Sequence, residues 1–386
     1  MRVLKRATVA GMAAAGIASG LMIATASGAG AQTTTATPFI NNFKTVSTGP
    51  STIPASNGDL NPYGVAVIRR SHGLLQQGDV LVSNFNNSMN QQGTGSTIME
   101  ISPAGTVTQF AQINAASLPG ACPGGVGLTT ALVVLRSGWV IVGSLPTAGG
   151  TSTSAQAGCL IVLDSHGHVR ETFSSHGING PWDMTALDRG FAAELFVTNV
   201  LNGTVAASPN PASPNVVNGG TVLRLLLTIS GDQPPRLVAV AKIGSGFPER
   251  TDPTALVLGP TGVGLGANGT LYVADTLNSR IAAIPDAVFR LDSAGTGATV
   301  SQGGALNGEL GLAIAPGGDI LTVNSGDGNI VETSPNGTQV AVKALDTTPT
   351  PPGLPGNGAL FGLAVAPRGA GVYFVDDDTN NLNLLH

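Results

Sequence analysis

Short apolar runs separated by polar turns dominate the hydrophobic pattern of the chain. The clearest copy is 261–281, where an apolar strand leads into Asn268-Gly269 and a second strand ends at Asp275. A third strand begins near Arg280. Asn-Gly between two apolar runs predicts a tight hairpin, because both of its residues tolerate positive φ. The pattern therefore predicts a meander of antiparallel strands.

The meander recurs six times, centred near residues 80, 140, 195, 272, 320 and 372. Spacings of about 40 to 75 residues are typical of four-stranded propeller blades with loops of variable length. The longer spacings coincide with Gly-, Pro- and Ser-rich inserts at 146–158, 206–220 and 230–235, which we expect to be exposed loops. We predict one all-β domain over 32–386, a six-bladed β-propeller of four-stranded antiparallel blades.

The last copy ends with its third strand, at 381–386. A propeller leaves no open sheet edge when the two chain ends share one blade. We therefore expect an N-terminal strand within Phe39–Ser47 to complete the last blade.

The first 31 residues have the form of a secretory signal peptide. Arg2, Lys5 and Arg6 precede an apolar stretch over 7–27, and Ala29-Gly30-Ala31 resembles a peptidase site. Cleavage after residue 31 would give a secreted or periplasmic protein with no further membrane contact. The alternative is an uncleaved anchor, which the Gly- and Ala-rich composition disfavours.

Charge limits the classes of partner. The chain carries 17 Lys+Arg against 22 Asp+Glu, and loss of the three basic residues in 1–31 takes its net charge from −5 to −8. A nucleic-acid partner would require a basic face and is excluded. An extracellular protein, a glycan or a small molecule remains possible as a partner, and the acidic balance permits a cation.

Two cysteines, Cys122 and Cys159, are the only ones in the chain. In an oxidising compartment they predict one disulfide, while two free buried thiols are the alternative.

The string Leu271-Tyr-Val-Ala-Asp-Thr-Leu-Asn-Ser-Arg-Ile281, preceded by its Asn-Gly turn, resembles the NHL-type repeat of six-bladed propellers. That superfamily includes gluconolactonase-like and streptogramin-lyase-like enzymes. The resemblance implies that the turns after the second strands and the loops before the first strands share one face of the ring, here called the loop face. The likeness implies a fold more strongly than an activity.

The second strands end on this face in polar residues, and five of the six are Asn or Asp. They are Asn84, Ser144, Asn199, Asp275, Asn324 and Asp376. Asn199, Asp275, Asn324 and Asp376 are the candidate ligands of a calcium ion, which prefers oxygen donors. The alternative is that each side chain only stabilises its own turn.

Other candidates lie near the starts of first strands. Tyr63 and Trp182, with Asp183, could bind a sugar or another flat ligand, or the two rings could instead pack into the axis. His176 and Glu309 are the candidate acid–base pair, with residue types resembling those of the lyases. His72, His166 and His168 are expected on the opposite face.

These features leave three functions open. The favoured one is an extracellular binding platform with its ligand at the centre of the loop face. The alternatives are a calcium-dependent lactonase-like hydrolase and a lyase that uses His176 and Glu309.

Overall fold

The computed structural model describes residues 37–201 and 215–386. This part of the chain is all-β, with six antiparallel sheets and only short 3-10 helices. The predicted six-bladed propeller is confirmed. Within these two ranges no helix has the length and apolarity needed to span a membrane. The predicted signal peptide lies outside the described residues.

The described residues form 25 strands, which are listed here blade by blade. The first two blades contain β2 (Leu60–Val67), β3 (Val80–Asn86), β4 (Thr97–Ile101) and β5 (Val107–Gln112), then β6 (Leu128–Val134), β7 (Val140–Ser144), β8 (Cys159–Leu163) and β9 (Val169–Phe173). The third and fourth contain β10 (Gly180–Asp188), β11 (Ala192–Val200), β12 (Val217–Ser230), β13 (Gln233–Asp252) and β14 (Leu256–Leu258), then β15 (Pro260–Leu265), β16 (Leu271–Asp275), β17 (Arg280–Ile284) and β18 (Ala298–Gln302). The last two contain β19 (Glu309–Ile314), β20 (Ile320–Asn324), β21 (Asn329–Thr333) and β22 (Gln339–Ala344), then β23 (Leu360–Val365), β24 (Val372–Asp376), β25 (Asn381–Leu385) and the N-terminal β1 (Val46–Ser47).

The ring is closed by the two chain ends, as expected, but with a shorter strand. Of the expected segment Phe39–Ser47, β1 alone pairs with β25, through Val46 with Leu385 and Ser47 with Leu384. Phe39–Asn42 forms a 3-10 helix instead of continuing the strand. The carboxylate of Glu332 accepts the backbone N–H groups of Phe39 and Ile40, which caps this turn and ties it to the fifth blade.

The third blade departs from the expected pattern. Its outer strands β12 and β13 have 14 and 20 residues, and β14 adds a short fifth strand to the sheet. The segment 230–235 was expected to be an exposed loop, but only 231–232 form the tight turn of this hairpin, where Gly231 has φ of 54°. Ser230 ends β12, and 233–235 belong to β13. Residues 206–214 of the neighbouring expected loop lie outside the described residues.

The first strand of each blade is its inner strand, and each of the six contains a bulge at the same place. The inner strands are β2, β6, β10, β15, β19 and β23. The first paired residue of each faces the last residue of the second strand, and the register then shifts before regular pairing resumes. A bulge re-aims the side chains that follow it. The repeat therefore places one side chain per blade at a matching position near the axis.

The inner strands pack against one another at backbone distance. Each contacts the inner strand of the next blade, and β23 contacts β2. A Cβ on Gly311 would collide with the carbonyl of Phe361, and one on Gly362 with the carbonyl of Tyr63. Around the other half of the ring, hydroxyl groups bridge the blades, as when Thr198 Oγ1 donates to the Thr261 carbonyl at 2.6 Å. The sequence thus uses glycine or a small hydroxyl side chain where blades meet.

The predicted disulfide between Cys122 and Cys159 is confirmed. It closes a loop of 37 residues and fixes the segment before β6 to the start of β8. In the chain-entropy treatment a loop of this size contributes about 3 to 4 kcal/mol of stability.

Candidate functional site

The axis is blocked on the loop face by a plug of side chains from the bulge positions. Tyr63 stacks between Phe85 and Phe361, with ring centroids 4.4 and 4.0 Å away. Trp182 meets Tyr63 edge-on at 5.7 Å, and Leu310 belongs to the same buried cluster. Tyr63 and Trp182 are 0% and 1% exposed. They therefore pack into the axis, which is the alternative to ligand binding that their sequence positions left open.

A turn of the third blade lies over this plug. Leu256 and Val257, in β14, belong to the buried cluster of Tyr63 and Trp182. The side chain of Gln92, from the first blade, donates to the carbonyl of Thr254 at 2.5 Å. Burial, followed by the charge of Asp377, raises the pKa of Tyr63 well above its ordinary value. The loop-face mouth of the axis is thus covered by apolar side chains and a turn of backbone.

The six residues that end the second strands occupy equivalent positions. Each pairs with the residue just before the bulge of its inner strand, in the pairs Asn84 with Pro62, Ser144 with Leu128, Asn199 with Pro181, Asp275 with Pro260, Asn324 with Glu309 and Asp376 with Leu360. β3 and β11 continue past Asn84 and Asn199, to Asn86 and Val200. The sequence alignment of the blades was therefore right in register, including the divergent second copy.

Their side chains bond within their own blades. Asn199 Oδ1 accepts the N–H groups of Asn179 and Gly180 at 2.7 and 3.0 Å. Asn324 donates to the Ala305 carbonyl at 2.8 Å and accepts the Asn307 N–H. These bonds hold the loop that leads into each inner strand.

The two aspartates of the proposed metal set also have partners within their own blades. Asp275 is fully buried in an ion pair with Arg280, at 2.8 Å from Nη2. Asp376 Oδ1 accepts the Thr379 N–H at 3.1 Å, and burial, then the nearby Asp346, raises its pKa.

In the described ranges no group of three or more His, Cys, Asp or Glu side chains is arranged to hold a metal ion. The hydrogen bonds and the ion pair of these four side chains go to loop backbone and to a guanidinium. They favour the alternative in which each side chain stabilises its own turn.

The structure does not bring His176 and Glu309 together as a pair. His176 is exposed, and its ring contacts only its neighbours Ser174 and Ser175. Glu309 is fully buried, and both carboxylate oxygens lack a hydrogen-bond partner among the described residues. Burial raises the pKa of Glu309 to about 8. The backbone N–H groups of Glu309 and Arg280, which approach the carboxylate without forming regular hydrogen bonds, oppose the rise, and the charge of Asp275 adds to it. His72, His166 and His168 lie in turns of the opposite face, as expected.

The sequence pattern did not predict the central channel. It encloses about 480 Å³ and is lined by all six inner strands, from Val65 on the first blade to Ala364 on the last. Its lining continues past the ends of β2 and β6 to Arg69, Arg70 and Arg136. The channel therefore opens where the inner strands end, on the face opposite the plug, here called the exit face.

Asp183 lies at the inner end of this channel, beside the plug. Its carboxylate accepts the N–H groups of Met184 and Val263 at 2.8 and 3.0 Å, which links the third blade to the fourth. Burial raises the pKa of Asp183 to about 7, although both hydrogen bonds oppose the rise. Of the three residues predicted to bind ligand, Asp183 is the one that lines a cavity.

The fold is shared with known propellers at low sequence identity. A calcium-binding protein, regucalcin, from Agrobacterium tumefaciens is 14% identical with a TM-score of 0.51, over 87% of this chain and 94% of its own. A gluconolactonase from Xanthomonas campestris gives 12% and 0.51, over 89% and 97%. A luciferin-regenerating enzyme gives 10% and 0.53, over 88% and 94%. These likenesses establish a six-bladed propeller fold.

No family model matches the sequence, and no curated protein is similar to it. The NHL-type resemblance accordingly stays a prediction.

Proposed function

We propose that this protein is a secreted binding propeller that holds a small molecule in its central channel. The observation that carries the proposal is the channel itself, about 480 Å³ in volume, plugged at one end and open at the exit face. Ligand pockets of this size are typically concave and mostly apolar, with few polar groups. Val65, Leu265 and Ile314 provide apolar wall, whereas Asp183 and Thr185 provide polar atoms.

Secretion is supported by the signal-peptide pattern of 1–31 and by the Cys122–Cys159 disulfide, since such bonds persist in oxidising compartments. The binding site differs in place from the one expected from sequence, because the plug covers the centre of the loop face. A calcium-dependent hydrolase is less well supported, because the oxygens proposed as ligands bond within their own blades.

The test is to fill the channel without touching the rest of the fold. Ala364 and Thr185 line it from the sixth and third blades, on opposite sides of the ring. We expect Ala364→Trp and Thr185→Trp each to weaken binding of the neutral fluorophore N-phenylnaphthylamine by at least ten-fold. Ala344→Trp, on the exposed outer strand β22, is the matched control and should bind like the wild type.

The measurement is the rise in N-phenylnaphthylamine fluorescence as the protein is titrated into the probe. The melting temperature of each variant is recorded to establish that it is folded. If both channel variants bind the fluorophore with wild-type affinity, the proposal is contradicted. The absence of saturable binding by the wild type would also contradict it.

A further inference from the structure

The mouth of the channel carries a one-sided set of positive charges. Arg69 and Arg70 follow β2, and Arg136 follows β6, so the three arginines come from adjacent blades. The lining residues of the fourth, fifth and sixth blades are uncharged. This concentration is unusual in a chain whose net charge is −5.

The three guanidinium groups are available to a ligand. Within residues 37–201 and 215–386 none of them lies within ion-pair distance of a carboxylate, whereas five other arginines are paired: Arg170, Arg189, Arg224, Arg250 and Arg280. All three are exposed.

Asp188, the acidic residue at the mouth, already accepts hydrogen bonds from backbone N–H groups. Asp188 Oδ2 accepts the N–H of Arg136, and Oδ1 accepts the N–H of Gly190 at 2.7 Å. Asp188 thus shapes the turn that carries Arg136, and its carboxylate forms no ion pair with the three guanidinium groups.

Below the arginines the wall combines apolar side chains with the polar atoms of Thr130 and Thr185. Val67, Val133, Leu187 and Val365 line the channel between the mouth and Asp183. Five residues of extended strand separate Asp183 from Asp188, a depth of about 16 Å. A guanidinium group binds a carboxylate or a sulfate through parallel hydrogen bonds, so a ligand that fits both regions has an anionic head and an apolar tail.

We infer that the channel selects an anionic amphiphile, with its head group at Arg69, Arg70 and Arg136 and its apolar tail inside the ring. This inference rests on the proposed function and specifies its ligand class. Free inorganic anions, which lack a tail, should bind far more weakly, because the arginines are exposed and exposed ion pairs are individually weak.

The experiment varies the head group on a constant tail. Decanoate, decan-1-ol and decyltrimethylammonium are titrated against the wild type in competition with N-phenylnaphthylamine, and inorganic phosphate serves as the tail-free arm. We expect decanoate to bind at least ten-fold more tightly than either of the others, phosphate not to displace the probe, and added salt to reduce the preference.

The variant Arg69→Gln/Arg70→Gln/Arg136→Gln should lose this preference for decanoate but bind decan-1-ol as before. The matched control, Arg236→Gln/Arg290→Gln/Arg368→Gln, makes the same change of charge at arginines outside the channel lining and should keep the preference.

The outcomes separate the two proposals. If all three amphiphiles bind equally, or if the control variant loses the preference as well, the inference about the anionic head is wrong while channel binding stands. If phosphate alone displaces the probe, the site takes a free anion and the amphiphile is wrong. If no amphiphile and no neutral probe binds, the proposed function itself fails.

Discussion

At the scale of single residues, the most telling side chain is Glu309. It begins an inner strand, is fully buried, and lies near the Asp275–Arg280 ion pair without a hydrogen bond to either carboxylate oxygen among the described residues. A buried carboxylate in this position favours its neutral form, because desolvation penalises the charge. Sequence analysis singled out Glu309 for catalysis, but its environment points to an effect on stability.

Glu309→Gln should make stability less dependent on pH. Because the folded-state pKa of about 8 lies above the ordinary value of 4.5, folding favours the protonated form. The stability associated with that proton is complete below about pH 4.5 and is lost as pH rises towards 8, by up to about 1.4 kcal/mol per pH unit. Glutamine keeps the neutral shape, so the variant should be the more stable protein at pH 8.5 and nearly equal to the wild type at pH 4.5. Urea unfolding at both values measures this.

The exposed Asp292→Asn is the control and should follow the wild-type pH profile. A Glu309→Gln variant that is less stable than the wild type at pH 8.5 would show that the charged carboxylate has a partner and contributes to the fold.

At the scale of elements, the N-terminal segment is more important than its two-residue strand suggests. The 3-10 turn before β1 buries Ile40 completely against the sixth blade and is bonded to Glu332 of the fifth. Burial of one such side chain is worth about 2 kcal/mol. The segment therefore joins two blades as well as closing the ring.

Removal of residues up to 48 should destabilise the protein by at least about 3 kcal/mol, since it exposes the edge of β25 and removes the buried Ile40. A chain that begins at Thr37 is the control and should unfold at the same urea concentration as the chain that begins at Gln32. Light scattering would detect association through the exposed edge. Equal midpoints for the two truncations would contradict the role assigned to this segment.

At the scale of the whole molecule, the sixfold repeat brings equivalent residues together in two layers. The bulge residues meet at the axis and form the plug, whereas the strand-end Asn and Asp side chains turn back into their own blades. Residues at matching repeat positions therefore converge only in the first layer. The ring of oxygens that the sequence pattern suggested is a set of separate turn-stabilising bonds.

Calcium should accordingly leave the melting temperature unchanged at millimolar concentration, compared with the same protein in a chelator. A site with a dissociation constant a hundred-fold below the free calcium concentration would add about 2.7 kcal/mol and raise it clearly. If a rise is seen and Asp376→Asn abolishes it, the metal proposal is restored. If the rise persists in that variant, the ion binds elsewhere.

The architecture could be predicted from sequence because its signals are local. Asn268-Gly269 and its counterparts mark turns, and the apolar runs between them set the strands in register. The disulfide followed from having two cysteines and a signal-peptide pattern. The length of β12 and β13 was not predictable in this way, because Pro- and Gly-containing segments resemble loops until a partner strand pairs with them.

The site was harder to predict because it depends on which side chains reach the axis. The bulge rotates Tyr63 and Trp182 inwards, and no pattern in the sequence distinguishes a bulged strand from a regular one. The channel is lined mostly by ordinary strand residues such as Val65 and Ala364, which carry no chemical signal. Arg69, Arg70 and Arg136 become a group only once the ring is closed.

The pairing of β1 with β25 joins distant parts of the chain, and beside it the side chains of Ser47 and His386, 339 positions apart, form a hydrogen bond. Contacts of such long sequence separation impose the largest loss of loop entropy, so we expect them to form last during folding. A chain still being synthesised or exported would lack them, and its first blade would have no neighbour on one side. Interactions that form after the folding transition state chiefly slow unfolding. The short pairing between the two chain ends should therefore slow the unfolding of the folded protein more than it speeds the folding of the chain.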